Sequence, residues 1–443
     1  METLYRVLEI INWVCIGLTT IGLVWQLIFI IFSFLKPKHF KKANKQNRFA
    51  IIIPAHNEAE VVGRTVKELL TKQDYPRELY DVFVCADNCT DDTAKIAREA
   101  GAIVYERFES DPKKKRAAYP IKLLMEKIFE EHDHYDAFIK FDADNLACPD
   151  YINRMNDALE DGCEIARAYE ASTNFGQNVW TSVSACYYVR DSRIACNFRE
   201  RAHMNSMLSG AGMMVSAKVI REIGGWDAMG GIDDAEFAVR RMLENRKCHY
   251  VADAVVYEDQ PSTFKDTFNR NSRMGHALNL LFWSKGFKLL GKTFTKFNIS
   301  YFDMFCQLMF VPISLLCCIW FPAYYIFYFL VHFIQCFGVE IIPSLYSVGW
   351  GGTSAAALVN LGFMIIYVLG VFYLIYTFQS FVAVYTDRKK LGLEKSLKPA
   401  YPGIFLSAIF MVIYAIAVSI GICTKPKWNK IKRNVIEEKP EAK

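Results

Sequence analysis

The chain has 443 residues, of which 52% are apolar, and it contains 33 Phe and 23 Tyr. This apolar share is high for soluble domains, so the length and composition predict two or more domains with membrane-embedded segments. The net charge of +5 is small, and the basic residues cluster beside apolar blocks. That clustering indicates contact with anionic lipid head groups and argues against nucleic acid as a partner.

Four blocks without Asp, Glu, Lys or Arg are long enough to cross the hydrocarbon core of a bilayer. They are residues 10–35, 304–338, 353–386 and 402–424. No small-residue cleavage site follows the first block, so we predict a retained anchor. Basic residues from Lys36 to Arg48 follow it directly. The positive-inside rule therefore predicts a multi-pass protein of the cell membrane, with residues 36 to about 300 in the cytoplasm.

The topology of the carboxyl-terminal third stays open. Four spans place the tail from Lys425 outside the cell, although its basic residues favour the cytoplasm. A break near Pro322 would divide the second block into two crossings and make five spans. In that case the basic loop from Arg388 to Lys398 lies outside instead.

Strand and helix patterns alternate after the first basic segment. Residues 49–53 form a continuous apolar run, ended by Pro54, which predicts a strand buried on both faces of a parallel sheet. Asn57 is predicted to cap the following helix. Further strands are predicted at 82–85 and 102–105. This alternation predicts a doubly wound α/β sheet, whose ligands bind beyond the carboxyl ends of the strands.

Two carboxylates follow the next predicted strand, which covers residues 137–140. Asp142 and Asp144 lie two residues apart, so on an extended chain their side chains point the same way. Paired hard oxygen ligands suit Mg²⁺ or Mn²⁺ carrying a nucleotide diphosphate. The alternative interpretation is a polar turn that closes the strand.

Several spaced motifs then resemble a known family in the correct order. The motifs are Pro54 to Glu58, Ala86 to Thr93, Phe141 to Asp144, Ser209 to Gly212, Gly224 to Asp227 and Ile232 to Glu236. They resemble family 2 inverting glycosyltransferases, which have a Rossmann-like glycosyltransferase A-type domain. The flanking apolar helices resemble those of the membrane-bound polysaccharide synthase branch. The resemblance therefore implies an inverting hexosyltransferase that takes a UDP-sugar.

The resemblance also implies roles for individual residues. The donor site would comprise Pro54, Ala55, Glu58, Asp87, Lys115, Asp142 and Arg273, with Asp87 on the base. Metal would be held by Asp142 and Asp144, and the acceptor would lie beside Gly210 and Trp226. Two alternatives remain: residues 113–116 as a solvated basic loop, and Asn57 with Glu58 as a helix start only.

Asp233 and Asp234 carry the predicted chemistry. In the family pattern an acidic pair at this place opens a helix, and the second member takes the proton from the acceptor hydroxyl. A carboxylate is a suitable general base, because a sugar hydroxyl is a poor nucleophile at neutral pH. The alternative is a helix amino terminus that carries acids because they favour the helix dipole.

One motif departs from the family pattern. Processive members carry Gln-x-x-Arg-Trp, whereas residues 270–274 read Arg-Asn-Ser-Arg-Met and keep only Arg273.

The leading hypothesis is synthesis of a β-linked polysaccharide, and the missing Gln and Trp favour the alternative of a single transfer to a lipid-linked acceptor. A transporter or receptor that binds nucleotide without catalysis is the alternative of another class. Against it, no apolar block carries a charged residue for coupled transport.

The predicted organisation has five segments, and the sequence leaves open whether a partner subunit joins them. They are an N-terminal transmembrane helix at 1–35, a cytoplasmic glycosyltransferase domain at 36–275, amphipathic interface helices at 276–303, C-terminal transmembrane helices at 304–424 and a basic tail at 425–443.

Overall fold

The computed structural model describes residues 2–32, 34–339, 341–342 and 353–424, so the predicted basic tail lies outside the described residues. The strands are β1 (Phe49–Ala55), β2 (Tyr80–Asp87), β3 (Ile103–Arg107), β4 (Ala137–Lys140), β5 (Leu146–Ala147), β6 (Ile165–Ser172), β7 (Met213–Ser216) and β8 (His249–Glu258). The helices up to the interface region are α1 (Glu2–Ile31), α2 (Val62–Thr71), α3 (Thr93–Glu99), α4 (Ala118–Glu131), α5 (Tyr151–Glu160), α6 (Val179–Arg190), α7 (Asn197–Arg201), α8 (Ala217–Glu222) and α9 (Asp233–Leu243). The remaining helices are α10 (Phe264–Leu281), α11 (Phe287–Lys296), α12 (Ile299–Leu315), α13 (Phe321–Cys336), α14 (Thr353–Thr386) and α15 (Tyr401–Cys423).

One sheet organises the α/β domain, with strand order β3-β2-β1-β4-β7-β6-β8-β5. The run β3-β2-β1-β4 is parallel, and this confirms the predicted α/β fold. The second half is mixed, because β7 runs antiparallel to both β4 and β6. The motifs that begin at Pro54, Ala86 and Phe141 stand at the ends of β1, β2 and β4, so the parallel half positions the strand-end residues.

The strand β1 shows why this part of the chain forms the centre of the sheet. Residues 49–53 are fully buried. Ile51 and Ile53 belong to the hydrophobic core on one face, whereas Ala50 and Ile52 belong to the core on the other. Both faces of β1 are therefore covered by apolar side chains, as the continuous apolar run predicts.

The predicted cap at Asn57 is wrong. Helix α2 begins at Val62, and Asn57 adopts a left-handed backbone conformation with φ of 56°. Its Oδ1 accepts a hydrogen bond from the backbone N–H of Thr90 at 2.8 Å. Asn57 therefore joins the loop after β1 to the loop after β2, because its side chain is engaged across the site edge.

Four helical segments are long and apolar enough to cross a membrane, among the residues described: Glu2–Ile21, Ile299–Cys336, Ser354–Thr386 and Lys398–Cys423. The break near Pro322 that the five-span alternative requires is absent. Helices α12 and α13 continue into each other through a π-helical turn at Leu316–Trp320. A widened turn of this kind accommodates the missing N–H of a proline within a continuous helix. The five-span alternative therefore loses its structural basis.

A buried ion pair joins the α/β domain to α12. The Nε atom of Arg199 donates to Asp303 Oδ2 at 2.8 Å, and Trp25 Nε1 on α1 donates to Asp303 Oδ1 at 2.8 Å. Arg199 and Asp303 are both buried. The carboxylate therefore ties the domain to two candidate membrane helices at once.

Asp303→Asn is expected to lower the free energy of unfolding by about 3 kcal/mol, because the buried Arg199 loses its nearer counterion and keeps Asp191 at 3.8 Å. Thermal unfolding of the detergent-purified protein measures this change. The matched control is Asp133→Asn, which removes the exposed ion pair with Arg221 and costs about 0–1 kcal/mol. Equal destabilisation by the two variants would contradict the assigned role of Asp303.

Candidate active site

Carboxylates from two distant parts of the chain meet around one buried lysine, Lys140 on β4. Its Nζ donates to Asp142 Oδ1 at 3.3 Å and to the carbonyl oxygen of Gly210 at 3.2 Å. Burial lowers the pKa of Lys140, but the charges of Asp142, Asp233 and Asp234 together raise it above its usual value. The ammonium therefore stays charged and holds the acidic cluster together.

Gly210 lies at the point where the two acidic motifs converge. A Cβ atom placed on Gly210 would lie 2.7 Å from Lys140 Nζ, 3.5 Å from Asp234 Oδ2 and 3.7 Å from Asp142 Oδ2. Only glycine leaves this space open. The structure thus places one carboxylate oxygen of Asp142 and one of Asp234 within 4 Å of the same point beside Gly210.

The acidic pair opens α9, as the sequence predicts. Asp234 Oδ1 accepts from the backbone N–H of Ala235 at 2.7 Å. Burial, with a further contribution from the charge of Asp233, raises the pKa of Asp234 to about 6, although Lys140 acts in the opposite direction. Burial also raises the pKa of Asp233. Asp234 is therefore a stronger base than an ordinary aspartate and is still ionised at neutral pH.

The pH profile of kcat/KM is expected to show an acid limb near pH 6, because Asp234 accepts a proton only when it is ionised. Below that pH the carboxyl group is protonated, so the rate falls. The folded chain binds this proton more tightly than the unfolded chain, so the free energy of unfolding also falls as the pH rises from about 4 to about 6. Rates measured across this range test the assignment. An acid limb at about pH 4, the ordinary range for aspartate, would contradict it.

Asp142 and Asp144 stand at the end of β4 in a fixed arrangement. Asn145 Oδ1 accepts from the backbone N–H of Asp142 at 2.9 Å, and Asn145 Nδ2 donates to Asp144 Oδ1 at 3.3 Å. The Asp142 side chain is 44% exposed, whereas Asp144 is only 8% exposed.

The fit to a metal ion follows from these donors. Within the described part of the chain, no cluster of three or more His, Cys, Asp or Glu could enclose a metal ion. The exposed Asp142 carboxylate and the buried Asp144 carboxylate supply oxygen ligands that suit Mg²⁺ or Mn²⁺, which keep water ligands and accept phosphate oxygens. The donor set therefore fits a cation that is completed by its substrate.

The residues predicted to bind the nucleotide lie at the ends of β1 and β2. Asp87 accepts from Arg107 Nη1 at 2.6 Å and from Asn88 Nδ2 at 2.9 Å. His56 Nδ1 donates to the carbonyl oxygen of Asp87 at 2.7 Å, which joins the two strand ends. Asp87 is 8% exposed, so its carboxylate is held in one orientation. Sequence reasoning missed Arg107, because its position opposite Asp87 depends on the pairing of β2 with β3.

The remaining predicted donor residues lie at the same edge. Ala55 ends β1 and pairs with Ala86 of β2, and Pro54 precedes it. The backbone N–H of Glu58 donates to Thr93 Oγ1 at 2.9 Å. Lys115 is exposed, and its loop is held because Arg107 Nη2 donates to the carbonyl oxygen of Lys114 at 3.1 Å.

Two further predicted site residues, Arg273 and Trp226, lie in different surroundings. Arg273 lies half-buried on α10, where burial and the charge of Arg270 lower its pKa and the charge of Asp142 raises it. It therefore lies within electrostatic reach of the acidic cluster.

Trp226 is 2% exposed and stacks on Phe237 with ring centroids 4.4 Å apart. The prediction that Trp226 contacts the acceptor is wrong, because its ring lies in the hydrophobic core.

A family model identifies the class of enzyme to which this α/β domain belongs. The family model described as "Glycosyltransferase like family 2" matches residues 46–277, and the chain belongs to this family. The catalytic domain therefore begins just before β1 and includes most of α10.

Three curated relatives cover part of the chain. It is 23% identical over 284 residues to the probable glycosyltransferase YdaM of Bacillus subtilis, with 60% of this chain and 64% of that protein covered. It is 22% identical over 287 residues to a beta-monoglucosyldiacylglycerol synthase of Nostoc sp., with 62% and 59% covered. A probable glucomannan 4-beta-mannosyltransferase 3 of Arabidopsis thaliana is 26% identical over 230 residues, with 48% and 40% covered. The chain thus spans less than two thirds of the length of each relative.

A solved structure agrees with the fold over nearly the whole chain. The mannosyltransferase PcManGT from Pyrobaculum calidifontis, in complex with GDP-Man and Mn²⁺, superposes with a TM-score of 0.55. The sequence identity is 14%, and the match covers 93% of this chain and 99% of that one. The shared architecture therefore includes the helices that flank the catalytic domain.

Proposed function

We propose that this protein is a membrane-bound inverting glycosyltransferase that transfers one sugar from a UDP-sugar to a lipid-linked acceptor. The observation that carries the proposal is the convergence of Asp142 and Asp234 at Gly210. This brings a base with a raised pKa beside the strand end where a diphosphate would be held. The catalytic domain is proposed to face the cytoplasm, because basic residues follow the first apolar block.

The proposed reaction is a single displacement. Asp234 takes the proton of the acceptor hydroxyl while the hydroxyl oxygen forms a bond to the anomeric carbon. The bond from that carbon to the diphosphate breaks on the opposite face, so the configuration inverts and the nucleoside diphosphate leaves. A divalent cation held by Asp142 and Asp144 would supply positive charge to the departing diphosphate. Arg273 is proposed to contact the phosphate groups, since a guanidinium matches phosphate geometry.

Two side chains distinguish single transfer from polymer synthesis. Met274 stands where processive family members carry Trp, and Trp226 is buried against Phe237. Neither position therefore offers a flat ring on which a pyranose chain could stack and advance. The name of the Nostoc relative, a beta-monoglucosyldiacylglycerol synthase, also supports a lipid acceptor.

Synthesis of a β-linked polysaccharide remains the second candidate. Candidate membrane helices flank the catalytic domain on both sides, and the Arabidopsis relative is named as a glucomannan mannosyltransferase. The product decides between the two candidates. A glycolipid carrying one added sugar supports single transfer, whereas a ladder of longer products supports the polymer.

The test uses the full chain purified in detergent with Mn²⁺, a lipid extract and a panel of UDP-sugars, with GDP-mannose included. GDP-mannose belongs in the panel because the Asp87 carboxylate accepts a hydrogen bond from guanine as readily as from uracil. Release of UDP with one sugar, abolished by EDTA, is the expected result. Release of GDP alone would overturn the choice of UDP. Binding of nucleotide without release from any donor would support the transporter or receptor alternative.

A further inference from the structure

We infer that α15 does not cross the membrane but lies along the membrane-facing side of the catalytic domain, with one apolar face against the lipid. The chain then leaves α15 on the same side of the membrane as the catalytic domain. This inference assumes that the protein is membrane-bound. It does not depend on the reaction or on the donor.

The amino-terminal end of α15 touches the catalytic domain. A Cβ atom on Gly403 would overlap the carbonyl oxygen of Ser182 and lie 2.5 Å from Cys186 Sγ, both on α6. The Ser182 hydroxyl also donates to the carbonyl oxygen of Pro399 at 3.4 Å. Because α6 lies within the family 2 domain, the start of α15 is fixed to that domain.

The carboxyl-terminal end of α15 touches the catalytic domain as well. A Cβ atom on Gly421 would overlap the carbonyl oxygen of Ser272, and His276 Nδ1 donates to the carbonyl oxygen of Gly421 at 3.0 Å. Ser272 is the neighbour of Arg273 on α10, within the same domain. Both ends of α15 are therefore level with the catalytic domain.

The length of α15 excludes a crossing of the bilayer in which both ends of the helix contact the catalytic domain. A helix of 23 residues is about 34 Å long, so a helix crossing the bilayer would carry its second end roughly 30 Å away from the domain. The other candidate spans do extend away from the catalytic domain. At the far end of α13, His332 Nδ1 lies 3.4 Å from Ser354 Oγ on α14, and Phe327 packs near Tyr5 on α1.

The outer face of α15 carries apolar side chains that no other part of the described chain covers. One stripe of large apolar side chains is exposed: Phe405 52%, Ile409 51%, Val412 47%, Ile416 40% and Ile420 43%. Spacings of three and four residues place these side chains on a single helix face. The neighbouring α14 also exposes apolar side chains, including Phe381 and Tyr385, so the stripe continues the lipid-facing surface. The occupant is therefore the acyl region of the adjacent leaflet.

The sequence supports this arrangement independently. With α1, α12–α13 and α14 as the crossings, the basic segments 36–48, 388–398 and 425–433 all emerge on one side. Four crossings would place the last of these segments on the opposite side from the first two. A helix that does not cross thus removes the conflict with the positive-inside rule.

The experiment measures the sidedness of Thr424, the last described residue after α15, in sealed vesicles. Three single variants are compared with a membrane-impermeant maleimide, and labelled peptides are read by mass spectrometry. Thr424→Cys reports the end of α15, Lys67→Cys reports the exposed face of the catalytic domain, and Val339→Cys reports the exposed chain after α13. Vesicles of inside-out and right-side-out orientation are both used.

The expected result is that T424C and K67C react from the same face, and V339C from the opposite face. Exposed native Cys423 gives the same comparison without any substitution near α15. Labelling of T424C together with V339C would overturn the inference. So would protection of T424C on both faces, because the chain would then not emerge beside the catalytic domain.

Discussion

Asp234→Asn is expected to lower turnover by about 10²- to 10⁴-fold, the usual contribution of a general base. Binding of the nucleotide is expected to persist, because the substitution leaves Asp87 and its contact with Arg107 unchanged. Nucleoside diphosphate release measures the first quantity, and calorimetric titration with UDP measures the second. Asn has nearly the same shape as Asp, so the cluster around Gly210 keeps its packing.

Glu236→Gln is the matched control on the same helix. The Glu236 carboxylate accepts from the backbone N–H of Gly230 at 2.7 Å and from Arg240 Nη2 at 2.7 Å. Gln retains an oxygen for one of these contacts, and Glu236 is not placed against the acceptor. Turnover should therefore remain close to that of the natural chain. If Asp234→Asn were as active as this control, Asp234 would not be the base.

Lys140→Met is expected to be the most disruptive single change at the site. Lys140 is 5% exposed and pairs with Asp142, while the charges of Asp233 and Asp234 also act on it. Removing this cation leaves partly buried carboxylates without the charge that pairs with Asp142, at a cost of about 3–5 kcal/mol. We expect a lower unfolding temperature together with loss of sugar transfer.

The control for Lys140→Met is Lys218→Met, which makes the same chemical change at an exposed site. The Lys218 side chain is 68% exposed and pairs with Glu164 at 2.9 Å. An exposed pair of this kind contributes about 0–1 kcal/mol, so stability and activity should change little. Natural stability and turnover in the K140M variant would show that the lysine does not hold the carboxylates together.

Short-range patterns predict the strand-end residues well. The apolar run at 49–53 predicts a doubly buried strand, and Asp142 with Asp144 follows β4 because strand ends carry polar side chains. The helix start at Asp233 is predicted by the family resemblance, since an acidic pair opens a helix in the family pattern. These features depend on neighbours in the chain, which a single sequence displays directly.

Features that depend on distant partners are not predictable in this way. Asn57 has the composition of a helix cap, yet its oxygen binds the N–H of Thr90 from another loop. Trp226 follows two glycines, which is typical of a binding turn, but the core around Phe237 provides a larger gain through burial. Lys140 could have been found, because it lies two residues before Asp142 and therefore on the same face of the strand.

The contact between Arg199, Asp303 and Trp25 has a consequence for the choice of acceptor. If α1 and α12 are embedded in the bilayer as proposed, the domain that they hold would keep the proposed base, Asp234, at one height above the hydrocarbon. An acceptor held by its own lipid chains meets that base only when its reactive hydroxyl stands at the same height. The enzyme would therefore select acceptors whose head group places the reactive hydroxyl at the distance of Asp234 from the membrane.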